Sequence, residues 1–191
     1  MKLSYQIYGK YKSVRNASWH CLLDHQVKTL PVSVLTLAKS MNIRVVKNSS
    51  VYELSPIERG LSVYQDDQWY VIYDDEDIVQ KRRFTIAHEM GHILLGHDIK
   101  KYSKDDRAEM EADMFALRLL APACVLWGLN LHSKEEIAAA CSICNNAAYR
   151  RSERMKVLYR RNKFLEAPLE RKLFDQFKAF ISEQKCLSET T

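Results

Sequence analysis

The residues best suited to chemistry lie in the stretch TIAHEMGHILLGH (85–97), where two histidines stand four positions apart and a glutamate follows the first. On an α-helix, His88 and His92 would lie on one face, so their ring nitrogens can bind one zinc ion at about 2.0–2.1 Å. Glu89 would lie about 100° further round the helix, beside the metal rather than on it. A carboxylate there can accept a proton from water that zinc acidifies. These residues predict an HExxH zinc centre that hydrolyses peptide bonds, with Glu89 as catalytic base.

Such a centre needs a third protein ligand, and the stretch RAEMEADMFALRLLAP (107–122) offers acidic candidates. Glu109 and Glu111 both qualify, but two residues apart on a helix they point to nearly opposite sides. Asp113 shares a face with Glu109, and ligating histidines usually donate their second N–H to an outer acceptor. We therefore expect Glu109 to be the third ligand and Asp113 to orient His88. Spacing alone leaves Glu111 as the alternative ligand.

Two neighbours of the motif suggest how the helix is packed and how it ends. His97 lies five residues after His92, which turns it off the ligand face of a continuous helix. We predict that it satisfies the last carbonyls of the helix instead of binding metal. Gly91 costs roughly 1 kcal/mol of helix propensity relative to alanine, so we expect another chain segment to approach closely there. The alternative for the whole motif is a pair of histidines packed on a buried helix without metal.

The elements that must hold these residues are predicted from the spacing of apolar residues. Residues 34–41 have a helical period, residues 43–48 are typical of a short strand, and residues 61–73 predict a hairpin with a polar turn at 66–68. A helix is predicted over 78–96, and the next begins at the capping pair Ser103 and Asp106 and ends at Pro122. Ser133 and Glu136 form a second capping pair, which begins a helix through the alanines that follow. Two more helices are predicted, one over the basic stretch AAYRRSERMKVLYRR and one after Pro168. The first 26 residues contain apolar positions without a clear period.

These elements predict an α+β fold. We expect a small, mostly antiparallel sheet packed with the helices that carry the HExxH and third-ligand residues, followed by a helical, helix-turn-helix-like C-terminal part. An extended substrate could add to an exposed edge of the sheet, supplied by either LSVYQ or WYVIY.

The composition, with 47% hydrophobic and 28% charged residues, is that of an ordinary globular chain. The N-terminal stretch MKLSYQIYGKYK lacks the apolar core of a signal peptide. No apolar run approaches the roughly 20 residues that span a bilayer, which argues against a membrane partner. The five cysteines are an odd number without a regular framework, so disulfides are not expected. We therefore expect a cytoplasmic, reduced protein.

A basic segment supports an alternative function. Between residues 150 and 163 the chain carries many arginines and lysines against one acid, Glu153. Residues 133–163 would suit a helix-turn-helix in the DNA major groove, which predicts a DNA-binding regulator with a structural or vestigial zinc site. A solvated helix face explains the same charges, so direct nucleic-acid binding is the less favoured interpretation. Cys141 and Cys144 form a CxxC pair that no second pair completes, and we expect them to be core or near-surface thiols.

Two sequence blocks resemble a known family. FTIAHEMGHILLGH, followed by EMEADMFALRLLAP, resembles the ImmA/IrrE family of metallo-endopeptidases, which shows an "rFTiaHElGHillgH" block and then an "ExxA(N/D)xFAxxLLxP" block. The second block is matched by Glu109, Ala112, Asp113, Phe115, Ala116, Leu119, Leu120 and Pro122. With the preceding hairpin, the resemblance covers about residues 60–122. The helices after it are more weakly similar to the helix-turn-helix-like part of the family.

The resemblance implies a zinc peptidase of thermolysin-like active-site design, with Glu109 as third ligand. It also implies a cytoplasmic protein substrate, a DNA-binding repressor of the helix-turn-helix type, whose cleavage relieves repression in mobile elements or stress-response operons. We accordingly expect a zinc metallopeptidase domain over residues 1–130 and a helical, helix-turn-helix-like subdomain over residues 131–191.

Overall fold

The computed structural model of the protein, which describes residues 10–97 and 106–189, has the predicted α+β architecture. The helices are α1 (Lys10–Asp24), α2 (Val34–Ser40), α3 (Asn48–Val51), α4 (Val79–Leu95), α5 (Asp106–Leu120), α6 (Ala123–Gly128), α7 (Lys134–Cys141), α8 (Asn145–Arg160) and α9 (Pro168–Glu189). The strands are β1 (Ile43–Lys47), β2 (Gly60–Gln65) and β3 (Gln68–Tyr73). The predicted capping pair at Ser103 lies outside the described residues. None of the helices within those residues combines the length and the apolar character needed to cross a membrane.

The described residues form two compact units. The first comprises the residues up to Ser18 together with Ser33–Ala116. The second comprises Trp19–Val32 together with the chain from Leu117 onward. The predicted domains, a zinc metallopeptidase domain over 1–130 and a helix-turn-helix-like subdomain over 131–191, are defined by function as well as by packing. This division stays a prediction.

The sheet of the first unit has the order β1-β3-β2 and is mixed. Strand β1 runs parallel to β3, with Val45 opposite Val71, and β2 runs antiparallel to β3, with Ser62 opposite the same residue. The predicted hairpin is confirmed, and its turn residues Asp66 and Asp67 have φ of 49° and 57°. A two-residue turn that follows the twist of the strands needs such left-handed values, which aspartate tolerates. Because β3 lies between the other two strands, WYVIY cannot supply an edge, and that expectation is wrong. Within the described residues, LSVYQ in β2 is an edge strand.

Helix α4 packs across the sheet of the first unit and fixes the orientation of the motif. Its residues Ile86, Ala87 and Met90 are buried and recur at helical spacing. Ser62 and Val71 of the sheet are buried too. Burying a side chain such as Met90 contributes roughly 1.5–3 kcal/mol, so the rotation of α4 about its axis is firmly determined. The motif residues therefore stand on a helix that cannot turn without exposing its core face.

The second unit is helical, and aromatic and glycine contacts hold its elements together. Trp127 stacks on Phe164 with ring centroids 5.4 Å apart. Gly128 lets α9 approach closely, because a Cβ atom there would stand 2.7 Å from Phe174 and 2.8 Å from Ile181. The predicted start of α7 is confirmed, since Ser133 and the side chain of Glu136 form a reciprocal capping box.

Candidate metal centre

The motif helix α4 ends in a left-handed turn that matters for the site. Gly96 has φ of 69°, a conformation that glycine adopts without steric cost. The backbone N–H groups of Gly96 and His97 donate to the carbonyls of Ile93 and His92, so the backbone itself caps the helix. His97 therefore satisfies one of the last carbonyls of the helix, as the sequence predicts, and it does so through its backbone N–H.

Three predicted ligand residues meet at one point between α4 and α5. The Nε2 atoms of His88 and His92 lie 3.0 Å apart. The Glu109 carboxylate lies 3.2 Å from Nε2 of His88 and 3.4 Å from Nε2 of His92. Within the described residues, this trio is the group of histidine, cysteine and acidic side chains close enough to share a metal ion. Glu111, the alternative third ligand, lies beside His97 instead, with its Oε2 atom 3.4 Å from His97 Nε2.

The dimensions of this triangle fit zinc. A tetrahedral zinc ion with bonds of about 2.0–2.1 Å holds its ligand atoms about 3.3–3.4 Å apart. The two Nε2 atoms are 3.0 Å apart, Oε2 of Glu109 is 3.2 Å from His88 and Oε1 is 3.4 Å from His92, so each of these contacts is close to that value, and one ligand atom from each residue lies within 4.8 Å of the others. Two imidazole nitrogens and one carboxylate also match the donors that zinc prefers in catalytic sites. The residues present could therefore hold a zinc ion with one coordination position left for water or substrate.

Asp113 lies where the sequence predicts, next to His88. The Nδ1 atom of His88 is 3.0 Å from Oδ1 of Asp113, which can only accept a hydrogen bond when ionised. Nδ1 therefore carries a proton and donates it, and this leaves Nε2 to face the triangle. A carboxylate in this outer position fixes the tautomer and ring orientation of a ligating histidine.

The charges of the trio favour one cation at its centre. Burial acts to lower the pKa of His88, but hydrogen bonds with Asp113 and Glu109 outweigh it and raise the pKa to about 9. Burial and the neighbouring His88 lower the pKa of His92 to about 3. The hydrogen bond with His88 lowers the pKa of Glu109. Protonated His88 thus places one positive charge among the three ligand atoms. A divalent ion bound by the trio would displace that proton and replace its charge.

Glu89 lies beside the trio in surroundings that suit a base. Its side chain is buried, and its Oε2 atom has no hydrogen-bond partner within the described residues. Burial raises the pKa of Glu89 to about 7, against the opposing effect of the neighbouring His88. A general base works best when its pKa lies near the working pH. The orphaned oxygen indicates that a further polar group, such as a substrate water, belongs next to it.

The trio opens into a cleft of about 470 Å³ in the first unit. One wall is the start of β2 and the segment before it, and the others are α4 and α5. The lining residues are Ile57, Glu58, Arg59, Gly60, Leu61, Phe84, Thr85, His88, Glu89, Glu109 and Asp113. The β2 residues among them are not singled out by the sequence motifs. A glycine that opens a strand was the available signal, because it often marks a close backbone approach.

Gly91 shows the close approach that the sequence predicts. A Cβ atom on this residue would stand 3.1 Å from Phe115 Cδ1 and 3.2 Å from the Cα atom of Ala112. The glycine therefore lets α5 lie directly against α4, so Glu109 and Asp113 reach the two histidines.

The basic segment of the second unit is not wholly exposed, and the two thiols of the CxxC pair are core and near-surface groups, as predicted. Arg150 and Arg154 of α8 are exposed, but Arg151 is buried, and burial lowers its pKa to about 10. One of the arginines counted toward a DNA-binding face is thus part of the core. Cys141 is buried and Cys144 is partly exposed, and neither belongs to the group of described residues that could hold a metal.

Two histidines one turn apart, a carboxylate from a second helix and a buried glutamate beside them are the components of an HExxH metallopeptidase site. A family model described as the IrrE N-terminal-like domain, which belongs to the peptidases, matches residues 38–153. The chain therefore belongs to the IrrE N-terminal-like peptidase family, as its sequence blocks predict. The match includes the sheet and all the predicted site residues. No curated protein matches the chain.

Proposed function

We propose that the protein is a zinc-dependent endopeptidase that cleaves a peptide bond in a protein substrate. The observation that carries this proposal is the convergence of His88, His92 and Glu109 within 3.0–3.4 Å, next to the buried carboxylate of Glu89. The family membership supports the same reaction class.

Zinc held by His88, His92 and Glu109 would supply a Lewis acid that polarises the scissile carbonyl and acidifies the attacking water. Glu89 accepts a proton from that water as its oxygen bonds to the carbonyl carbon. The same carboxyl group then gives the proton to the leaving amine as the C–N bond breaks. Asp113 holds His88 in the tautomer that leaves Nε2 facing the triangle.

Strand β2 provides a means of holding an extended substrate. It is an edge strand within the described residues, and its first residues, Gly60 and Leu61, line the cleft next to Glu89. A peptide that adds to this edge would make main-chain hydrogen bonds, which are independent of side-chain identity. Specificity would then come from the side chains that flank the cleft, including Phe84 and Ile57.

We also propose that the substrate is a DNA-binding repressor of the helix-turn-helix type and that cleavage takes place in the cytoplasm. This part rests on the resemblance of the two sequence blocks to the ImmA/IrrE family. Expression of the repressor's target genes, in a mobile element or a stress response, would be the outcome.

The first test is the zinc content of purified wild type, His92→Ala and Glu109→Ala by elemental analysis. We expect about one zinc per wild-type chain and loss of zinc in both variants. Full occupancy in Glu109→Ala would show that Glu109 is not the third ligand and would overturn this ligand set.

The second test separates metal binding from catalysis. Glu89→Gln should keep its zinc, because Glu89 is not a ligand, and should lose cleavage of casein and of purified helix-turn-helix repressors in a mass-spectrometric assay. A Glu89→Gln variant that still cleaves these proteins at the wild-type rate would refute the assignment of the base.

A DNA-binding regulator is the second candidate function, favoured by the exposed Arg150, Arg154 and Arg160 of α8. A gel shift with promoter DNA at several salt concentrations distinguishes the two candidates. Strong, sequence-preferring binding that weakens with salt would support the regulator, whereas cleavage without such binding supports the peptidase.

A further inference from the structure

The Nδ1 atom of His92, the ring nitrogen that does not face the trio, contacts another histidine. His92 Nδ1 lies 2.9 Å from Nδ1 of His97, and the two rings meet edge to face with centroids 5.0 Å apart. His97 is five residues further along the chain and would point away from His92 on a continuous helix. The left-handed conformation of Gly96 reverses the chain and brings the ring of His97 back against the ligand helix.

His97 in turn contacts an acidic residue of α5. Its Nε2 atom lies 3.4 Å from Oε2 of Glu111, whose other oxygen accepts a hydrogen bond of 2.8 Å from Nε of Arg107. The side chains of His97 and Glu111 are only 11% and 15% exposed, so solvent competes weakly for these contacts. Glu111 is thereby a partly buried, paired carboxylate and not a residue of an acidic helix surface.

The direction of these contacts follows from which atoms can donate. If Nε2 of His92 faces the triangle with a lone pair, its proton is on Nδ1 and is donated to Nδ1 of His97. The proton of His97 is then on Nε2, where the Glu111 carboxylate accepts it. Arg107 can only donate, and it holds the carboxylate from the far side. Each donor in this series of contacts, from His92 through His97 to the Glu111 carboxylate, therefore meets an acceptor.

We infer that His97 and Glu111 are positioning residues that hold His92 in the tautomer and orientation needed for metal binding. They do for His92 what Asp113 does for His88, but through an intervening imidazole. This inference rests on the proposed role of His92 as a zinc ligand. Outer residues of this kind typically contribute 10–100-fold in metal affinity.

The test measures zinc affinity by competition with a chelator for full-length wild type, His97→Ala, His97→Asn and Glu111→Ala. The Oδ1 atom of asparagine takes the place of Nδ1 along the side chain, so His97→Asn keeps an acceptor for His92 but loses the donor to Glu111. We expect zinc binding to weaken 10–100-fold in His97→Ala and less than tenfold in His97→Asn. Glu111→Ala should weaken binding in the wild-type background and have no further effect in His97→Asn. Glu135→Ala, which removes an exposed carboxylate of α7, is the matched control and should bind like wild type.

The outcomes distinguish this inference from the proposed function. A wild type that binds no zinc overturns the proposed function, and the role of His97 with it. A wild type that binds zinc, together with a His97→Ala variant of equal affinity, overturns only the role of His97. A third result would be that His97→Ala and His97→Asn lose zinc affinity equally and, without metal, have equally lowered melting temperatures. That result would assign His97 a merely structural role and would also overturn the inference.

Discussion

Gly60 and Glu89 are in contact where strand β2 begins, because a Cβ atom on residue 60 would stand 3.0 Å from Oε1 of Glu89. The same Cβ atom would stand 2.5 Å from Cγ2 of Thr85, a distance that real structures do not tolerate. We therefore predict that Gly60→Ala pushes β2 away from α4 and displaces the Glu89 carboxylate. Overpacking of this kind costs about 1–3 kcal/mol, which urea unfolding would measure. A displacement near 1 Å can lower the rate of peptide cleavage by up to about 100-fold.

A second substitution separates the two contacts of Gly60. Thr85→Ser removes the Cγ2 methyl group while keeping the hydroxyl. In the double variant Gly60→Ala/Thr85→Ser, the free energy of unfolding should return toward that of Thr85→Ser alone, because the closest clash is gone. The cleavage rate should recover less, since the contact with Glu89 remains. Equal loss of stability in Gly60→Ala with and without Thr85→Ser would contradict the structural explanation.

Gly91→Ala tests the packing of the two site helices against each other. Alanine favours the helix by roughly 1 kcal/mol, but its Cβ atom would meet the backbone of Ala112 at 3.2 Å, and backbone yields less readily than a flexible side chain. We expect the net effect to be a loss of stability of up to about 2 kcal/mol. The displacement of α5 would also move Glu109, so zinc affinity should fall. If alanine at position 91 did no more than stabilise the helix, the free energy of unfolding and the zinc affinity would both rise. Urea unfolding measures the first quantity and chelator competition the second.

The motif helix and its partner residues were accessible from sequence because their signals are local. The spacing of His88 and His92, the apolar face with Ile86 and Met90, and the glycine near the end of the helix all concern residues within a few turns. Helix α1 has a weaker signal. Its buried positions Val14, Ala17, Ser18, Cys21 and Leu22 follow helical spacing, but the three central ones are small or polar and give little amphipathic contrast.

The contacts that sequence did not reveal depend on chain reversal or on distant segments. His97 returns to His92 only because Gly96 adopts a left-handed conformation, and the helical spacing of five residues predicts the opposite. Gly60 meets Glu89 across the packing of a strand on a helix, which no local period encodes. The parallel pairing of β1 with β3 likewise joins segments separated by the intervening strand β2. A chain reversal at a glycine decided the first of these features, and packing between distant segments decided the other two.

The capping box at the start of α7 predicts a pH-dependent stability. Hydrogen bonds from the backbone N–H groups of Ser133 and His132 and from the Ser133 hydroxyl lower the pKa of Glu136 from its ordinary value of 4.5. A depressed pKa in the folded state stabilises the helix above pH 4.5, and this contribution is lost as the pH falls through the folded value. Ser133→Ala should cost about 1 kcal/mol at pH 7, or about fivefold in the hydrogen-exchange protection of α7 amides.

The matched pair of variants for this prediction is Glu136→Gln and Glu135→Gln, two neighbouring glutamates in the first turn of α7. Glu135 has a side chain that is 72% exposed and lies 3.6 Å from Lys134, so its loss should change protection little. The deficit of Glu136→Gln relative to wild type should shrink between pH 7 and pH 3.5. A deficit that stayed constant over this range would show that the carboxylate charge does not contribute to the cap.

The cysteines should differ sharply in reactivity, and burial is the reason. Burial raises the pKa of Cys21 and of Cys124 to about 12, whereas Cys186 is exposed on α9. Because the thiolate is the reacting form, the shift from the ordinary value of 9.0 lowers its fraction about 1,000-fold at pH 8. Treatment of the folded protein with iodoacetamide at pH 8, read out by peptide mass spectrometry, should therefore label Cys186 first and leave Cys21 and Cys124 unmodified. Cys186→Ser should abolish the fast reaction, and unfolding in urea should make all the remaining cysteines reactive. Rapid labelling of Cys124 in the folded protein would mean that the second unit opens readily, because a thiol with so little thiolate and no solvent access can react only from an open state.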